Sequence, residues 1–511
     1  MNASQINLPP VIRLGEEDNI VVARCPIAGG TNIGEKEIVS RSDIPLGHKI
    51  AVCSIKKRQP VIKSNTVIGY AAEDILPGEH VHVHNVCFDE VKKNYAFCEQ
   101  YRLVQMVPVG LRRTFEGYVR ENGRVGTRNF IAVPVVSNCA AGTARKIAAH
   151  FTPEVMRAYP YVDGVVPLIT SLGCGMDGGG ISMEYLRRAI AGHIRNANFY
   201  GSVVCALGCE RNQIDEFFAA EQLQPGERLQ KLIIQDYGSA GAVRKGIAMV
   251  TEMLIRANQC RRETVSVEHL TVALQCGGSD SFSSFSANPA LGLAMDRLTA
   301  HGGTAVLSET TEIFGAEQTL TCRARTPEVA EKLLKAINWW LDYCRGYAVQ
   351  INGGVTPGNN EGGLTNILEK ALGSVKKGGS GPLNEVYSYA EQIKEHGLVI
   401  MDAPSYDPVS ATAQFAGGCN LCVFTTGRGT CYGPQYFPTI KVASNTPLYQ
   451  RMEDDMDCNA GAVIDGERTL EEMGEELFER LISVASGEKT KSEWLGMGGD
   501  EFIPWSIGIT S

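Results

Sequence analysis

Two textures of apolar residues divide the chain. Between residue 11 and about residue 90 the apolar positions come in short bursts, NIVVARC, HKIAVCSI, QPVIKSNTVIGYA and HVHVHNV, interrupted by turn-forming PLG and LPGEH. No helical period runs through this stretch, and it predicts a small all-β module. A mixed, less regular stretch follows (KKNYAFCEQYRLVQMVPVGLRR) and reads as a linker. From about residue 115 apolar strands (FIAVPVV, GVVPLI, SVVCAL, KLIIQ) alternate with helical patterns (AAGTARKIAAHF, SMEYLRRAIAGHI, QIDEFFAAEQL, AVRKGIAMVTEMLIRAN). That alternation predicts βαβ units and a parallel sheet. The polar NQCRRETVSVEH marks a second boundary, after which LTVALQC, TAVLSE, GLVIMDA, LCVFTTG and TIKVASN predict another sheet with its own helices. The expected architecture is α/β: an all-β domain over 1–95, a linker over 96–112, and two α/β lobes over 113–262 and 263–511, with mainly parallel sheets.

Four of these strands run into a cysteine: Cys139, Cys174, Cys209 and Cys276. The interval from Cys139 to Cys174 equals that from Cys174 to Cys209, 35 residues each, about one strand–helix unit. Ligands of open parallel sheets collect beyond the carboxyl ends of the strands. Four thiols at such ends point to one metal centre, with iron, as Fe2+ or an Fe–S cluster, as the expected occupant. The alternative for any single cysteine is a small buried hydrophobe, the role expected of Cys53, Cys205, Cys322, Cys344 and Cys422.

Composition narrows the function class. At 511 residues the chain exceeds one compact core. Its 55 glycines, roughly one and a half times average usage, gather in runs such as GCGMDGGG, CGGSD, TPGNNEGG and TTGRGT, where backbone approaches a ligand. A net charge of −9 without a dense basic run argues against nucleic acid. No signal peptide or run of about 18 apolar residues is present, so no membrane contact is expected. Sixteen cysteines then read as reduced thiols of a cytoplasmic protein. The expected partners are a small hydroxy-acid substrate and, as an open alternative, further copies of the same chain. No Rossmann glycine fingerprint, P-loop or nucleophile elbow occurs.

Further candidates cluster at strand ends. Cys276-Gly-Gly-Ser279-Asp280 packs a thiol, a hydroxyl and a carboxylate into one turn, and Glu309 follows the next strand. Asp280 and Glu309 are candidate acid–base groups, with capping as the alternative for Asp280, and Glu312 and Glu317 read as surface or capping residues. Period two along His80-Val-His82-Val-His84 places three imidazoles on one strand face, and His48 joins them if the module folds back. Arg428, between two glycines, and Arg124, Arg128 and Asn129 in GRVGTRN are candidates, with Ser279, for gripping a carboxylate substrate.

These segments together resemble the altronate/galactarate dehydratase family. GHKIAV, VIGYA and GEHVHVHN are similar to its SAF-type β domain, and GRVGTRN, LGCE, CGGSD, ANPALG, FGAEQ, PGNNEGG, FTTGRGT and KVASN follow in family order. The resemblance implies iron-dependent dehydration of a sugar acid such as D-altronate to a 2-keto-3-deoxy acid. Galactarate dehydration and elimination of the sulfolactate sulfo-lyase type are alternatives within it. After TTGRG the family's Thr-Pro-Tyr-Gly is replaced by Thr430-Cys431-Tyr432-Gly433. A non-enzymatic iron or redox sensor uses the same thiols but has no need of the carboxylates and arginines, and a cysteine-nucleophile hydrolase would need a histidine beside one thiol.

Overall fold

The computed structural model describes residues 8–35, 37–88, 95–347 and 351–507. The first segment forms two small antiparallel sheets. One orders Val11–Ile12, Ile20–Ala23, Lys49–Ala51 and His80–Val81, and the other orders Pro60–Lys63, Thr66–Ala71 and Val86–Cys87. Their core joins Ile20, Val22, Val61, Ile68 and Val81 to Phe282 and Ile464 of the body. The β domain thus extends its core onto its neighbour.

The next sheet is parallel, ordered Gly164–Leu168, Phe130–Pro134, Phe199–Ala206 and Leu229–Ile233. Both faces of its central strands are covered, which is why they read as unbroken apolar runs. The third sheet has seven strands: Leu383–Tyr387, Gly397–Met401, Thr304–Leu307, Thr271–Cys276, Leu421–Thr426, Thr439–Ala443 and Cys458–Asn459, all paired parallel. From Thr271–Cys276 the chain first builds outward on one side, then returns to build on the other. The switch point therefore lies between Thr271–Cys276 and Leu421–Thr426, where ligands of such sheets bind. The α/β expectation holds. The edge strands Leu383–Tyr387 and Cys458–Asn459 went unforeseen, being half-polar and very short respectively.

A separate antiparallel pairing joins Glu263–Ser266 to Thr114–Val119, so the segments that open the two α/β lobes are hydrogen-bonded to each other. The stretch before Thr114 also lies along the third sheet's layer, with Cys98 N, Gln100 N and Val107 N donating to the carbonyls of Thr321, Cys322 and Ala300.

Three charges fasten the β domain to the body. Glu369, in the helix Ile367–Ser374, accepts from Lys49 Nζ at 3.0 Å and Lys63 Nζ at 2.8 Å, all three side chains being at most 4% exposed. Lys49 also donates to Gly363 O, Lys63 to Ser281 Oγ at 2.7 Å, and Asn366 Nδ2 to Ile68 O at 2.8 Å. Removing one member of such a buried group strands the others in a low dielectric. Glu369→Ala is expected to cost about 3–5 kcal/mol, read as a lowered urea midpoint of the intact chain. Lys56→Ala, which breaks the exposed Lys56–Asp74 pair, is expected to leave that midpoint nearly unchanged. Equal midpoints for the two variants would refute this role for Glu369.

Candidate active site

Three of the four strand-end cysteines gather on one edge. Cys139 lies in the turn Asn138–Ala140, Cys174 between Gly173 (φ 95°) and Gly175 (φ 67°), and Cys209 after Gly208 (φ 127°). Their strands are immediate neighbours, and the Val135–Cys205 bridge leaves Cys139 and Cys209 each four residues beyond a paired position. All three thiols are exposed. Partial burial and the adjacent Cys174 raise the Cys139 thiol, while Cys209 Sγ accepts from Gln235 Nε2 at 3.4 Å. Gly173 has no substitute here, because a Cβ would lie 2.1 Å from Val136 O.

Cys276 does not join them. It ends a strand of the seven-stranded sheet, is 2% exposed, and meets Lys377 Nζ at 2.8 Å, Glu312 Oε2 at 3.4 Å and Ser374 Oγ at 3.6 Å. The four-thiol centre read from spacing is thus three thiols on one sheet and a fourth on another. Strand spacing is local, whereas sheet membership depends on pairings far apart in sequence. Among the other cysteines, Cys205, Cys322 and Cys422 are buried as expected, but Cys53 is exposed.

Around Cys276 the carboxyl edge of the large sheet holds a dense group of charges. Glu312 pairs with Lys370 at 2.7 Å and accepts from Ser405 Oγ at 2.8 Å. Burial raises the Glu312 carboxyl, but Lys370 and Lys377 outweigh it and the net shift is downward. Glu309 adopts φ 64°, a left-handed conformation costly for a residue with a Cβ, and its Oε2 has no partner. Burial, then the nearby Glu312 and Asp407, push Glu309 well above the usual carboxylate range. Asp407, at the start of the helix Asp407–Gly417 and against Gly277, is pushed by burial and then by Glu312 to about 7. Burial lifts the Cys276 thiol to about 11 despite Lys377. Cys276, Glu309 and Glu312 place ligand atoms within 4.8 Å of one another. Two ammonium groups already answer their charge, so this set does not fit a cation.

Above the same edge lie the β-domain imidazoles. His48 Nδ1 and His80 Nε2 are hydrogen-bonded at 2.9 Å, His48 Nε2 lies 3.0 Å from Glu361 O, and the His80 and His82 rings stack with centroids 5.3 Å apart. Ligand atoms of His48, His80 and His82 all fall within 4.8 Å, and His82 Nδ1 is buried without a partner. Burial comes first in lowering all three; further lowering comes from neighbouring imidazoles at His80, and from Lys49 and then the imidazoles at His82, bringing these two to about 4 and about 3. All three are therefore neutral at pH 7. The strand carrying them stops at Val81, so His82 and His84 sit in the following turn, with His84 5.5 Å from the His80 ring. Their grouping comes from that turn and not from a continuous period of two.

The loop after His48's partner Glu361 completes the cleft. The Glu361 carboxylate pairs with Arg428, whose side chain is 44% exposed, and Gly278 packs against Arg428 Cβ. Asp280 is framework. It accepts from Ser283 N and Oγ, Ser444 Oγ and Asn445 Nδ2, and Gly362 and Gly427 press against it. Burial raises its carboxyl against those four donors. The capping alternative is the one realised. Ser279 Oγ, beside it, is buried and unpartnered, while Ser279 O accepts from Asn359 Nδ2 at 2.9 Å.

The arginines before the first α/β strand lie at the opposite, amino end of their sheet, far in the topology from any carboxyl-edge ligand. Arg128 forks onto Glu493 at 2.6 and 2.9 Å and reaches the carbonyls of Val484 and Glu488. Arg124 binds Gln392 and Arg195 O, and Asn129 Nδ2 binds the carbonyls of Tyr161 and Ala257. All three brace the fold. Glu312 and Glu317, read as surface groups, are both 2% exposed. Lys370, Lys377, Asp407 and Glu361 were missed; the signal available was charge inside otherwise apolar, glycine-flanked sequence, as in NILEKALGSVKKGG.

An α/β enzyme with buried titratable groups at the carboxyl edge of a parallel sheet is the class this arrangement defines. Family models agree along the length: the SAF domain of altronate/galactarate dehydratase over residues 9–89, the second domain of D-galactarate dehydratase/altronate hydrolase over 117–258, and the D-galactarate/altronate dehydratase C-terminal domain over 267–510. Altronate dehydratase of Bacillus subtilis is 34% identical over 94% of this chain and 96% of its own. Galactarate dehydratase (L-threo-forming) of Escherichia coli is 36% identical over 94% and 93%. The β subunit of (2R)-sulfolactate sulfo-lyase from Chromohalobacter salexigens is 29% identical over 75% and 95%. The chain belongs to the galactarate/altronate dehydratase family of hydro-lyases. Among the described residues no helix is long and apolar enough to cross a membrane.

The imidazoles set a pH dependence. Above about pH 6.5 they are neutral in folded and unfolded chains alike. Below that value the unfolded chain takes up protons that the folded His80 and His82, at about 4 and about 3, refuse. Stability is therefore lost as pH falls from about 6.5 toward about 3. Urea midpoints across this range should fall less steeply in His80→Gln/His82→Gln than in the parent; identical slopes would refute the assignment.

Proposed function

We propose that this chain removes water from a sugar acid, D-altronate first, to give a 2-keto-3-deoxy acid, acting in the cytoplasm. The observation that carries the proposal is the join at the carboxyl edge of the large sheet, where His48 of the β domain meets Glu361 O, the Glu361 carboxylate pairs with Arg428, and Glu309 follows a neighbouring strand of the same edge. Pairs of titratable groups driven in opposite directions mark acid and base roles. Relatives named altronate and galactarate dehydratases support a sugar-acid substrate. Galactarate and sulfolactate are the alternatives, and the exposed Cys431 beside Arg428 is where the choice would be made.

Arg428 exchanges its pairing with Glu361 for the substrate carboxylate. An imidazole, His82 Nδ1 being the free acceptor, takes the proton α to that carboxylate. The electron pair forms the C2–C3 double bond and expels the C3 hydroxyl, which leaves as water with a proton from Glu309. The enol then tautomerises to the 2-keto acid. Ser279 Oγ is a further free donor toward the substrate. General acid–base groups contribute about 10²–10⁴-fold.

Iron is the proposed cofactor. Two donor sets are candidates: the exposed Cys139, Cys174 and Cys209 on glycine-loosened strand ends of one sheet offer thiols of the kind a cluster takes, and His48, His80 and His82, whose ligand atoms lie within 4.8 Å of one another, suit a single ion. When bound, iron would supply Lewis-acid chemistry at the donor set that holds it. We place it at the thiols. Cys174→Ser is expected to lose iron and the broad visible absorption of a cluster, whereas Cys276→Ser keeps both. Full iron content in Cys174→Ser would overturn this placement.

Anaerobically purified, iron-replete protein offered D-altronate, galactarate and sulfolactate should form a 2-keto-3-deoxy acid from one of the first two. Release of sulfite from sulfolactate alone would replace the proposal. Glu309→Gln should lower kcat by about 10²–10⁴-fold with little change in KM. Arg428→Gln should lower kcat/KM by about 10–100-fold, the worth of a charge-assisted carboxylate contact. Near-parental kinetics in both variants would remove the cleft from the reaction.

A further inference from the structure

A second space lies between the β domain and the body, apart from the histidine–arginine site. It is a cavity of about 390 Å³, with Lys63 and Thr66 on one wall and Ser284, Arg323, Lys376 and Ser380 on the other. Its charges do not balance. Lys63 is answered by Glu369, which Lys49 also claims. Lys376 Nζ donates only to Ser284 O, at 2.9 Å, and has no carboxylate partner among the described residues. Arg323 spends Nε on Thr319 O and Nη1 on the carbonyls of Gly379 and Gly381, leaving Nη2 free. The carboxylate nearest in effect to Arg323, Asp296, is itself taken up by Ser380 N and Oγ and by Gly381 N.

Lys376 thus faces the cavity with no carboxylate partner among the described residues, and Arg323 has Asp296 as its nearest counter-charge. Burying an ammonium without a partner is costly, and burial together with the Lys63 charge holds Lys376 down at about 8. An incoming anion would relieve both costs.

We propose that this cavity binds a small metabolite-sized oxyanion, a carboxylate or a phosphate ester, through Lys376 and Arg323. Its occupant would lie against the Lys63–Glu369 pair that docks the β domain. Lys376 is also the chain neighbour of Lys377, which holds Cys276 in the acid–base cluster. Binding here therefore acts on the same joint that places the histidines, without entering the cleft where they face Arg428.

The test uses the intact protein in thermal denaturation with three probes: inorganic phosphate, 6-phosphogluconate and galactarate, each matched in ionic strength with potassium chloride. At least one probe is expected to raise the midpoint by about 2–4 °C beyond chloride. The three arms separate phosphate from carboxylate recognition. The shift should persist in Arg428→Gln and vanish in Lys376→Met. It should also vanish in Thr66→Trp, which fills the cavity from the β-domain side and stands in if the lysine variant does not fold. No shift with any probe, a shift that survives in either cavity variant, or one lost only in Arg428→Gln overturns the proposal.

Discussion

Everything at the cleft depends on one buried carboxylate. Glu369 holds Lys49 and Lys63 across the boundary between the β domain and the body, with water excluded from all three side chains. Lys49 lies in the strand that follows His48 and pairs with His80–Val81, so the residue that docks the domain is one peptide away from the residue that lines the cleft. Such an ion group adds little net stability against an apolar substitute, but it tolerates no loss of one partner. Its consequence is register: the imidazoles are held at Glu361 and nowhere else.

The same low dielectric sorts protons at the sheet edge. Glu309, Glu312 and Asp407 share a confined volume with two lysines, and like charges so close cannot all ionise. Glu312 takes the lysine pairing and is shifted downward, Glu309 is pushed well upward, and Asp407 is pushed up to about 7. Across the cleft the histidines are shifted downward, because burial and one another's charge oppose protonation. Burial and neighbouring charge thus drive the carboxyl and imidazole groups of the two sets in opposite directions.

Much of this was legible residue by residue. The strands ending at Cys139, Cys174, Cys209 and Cys276 read correctly because doubly covered parallel strands are continuous apolar runs. Glu309 and Arg428 lie at the carboxyl edge, as expected, because each follows such a strand. His48 with His80 and His82 was found as a group, although a turn and not an extended strand brings them together. Arg124, Arg128 and Asn129 were misread for want of direction: a residue before a strand lies at the amino end, away from the ligand edge. Glu312, Lys370 and Lys377 stayed hidden because a charged side chain in sequence looks solvated until its counter-charges, up to about a hundred residues away, are folded around it.

Local pattern and spacing decide the α/β class, the strands and their thiols, and the family, because these depend on short-range periodicity and on motif order. Tertiary structure decides which thiols share an edge, which arginine is free, and which carboxylate keeps its proton. Those properties arise from pairings between distant segments and from the dielectric that burial creates, and neither exists until the chain has closed on itself.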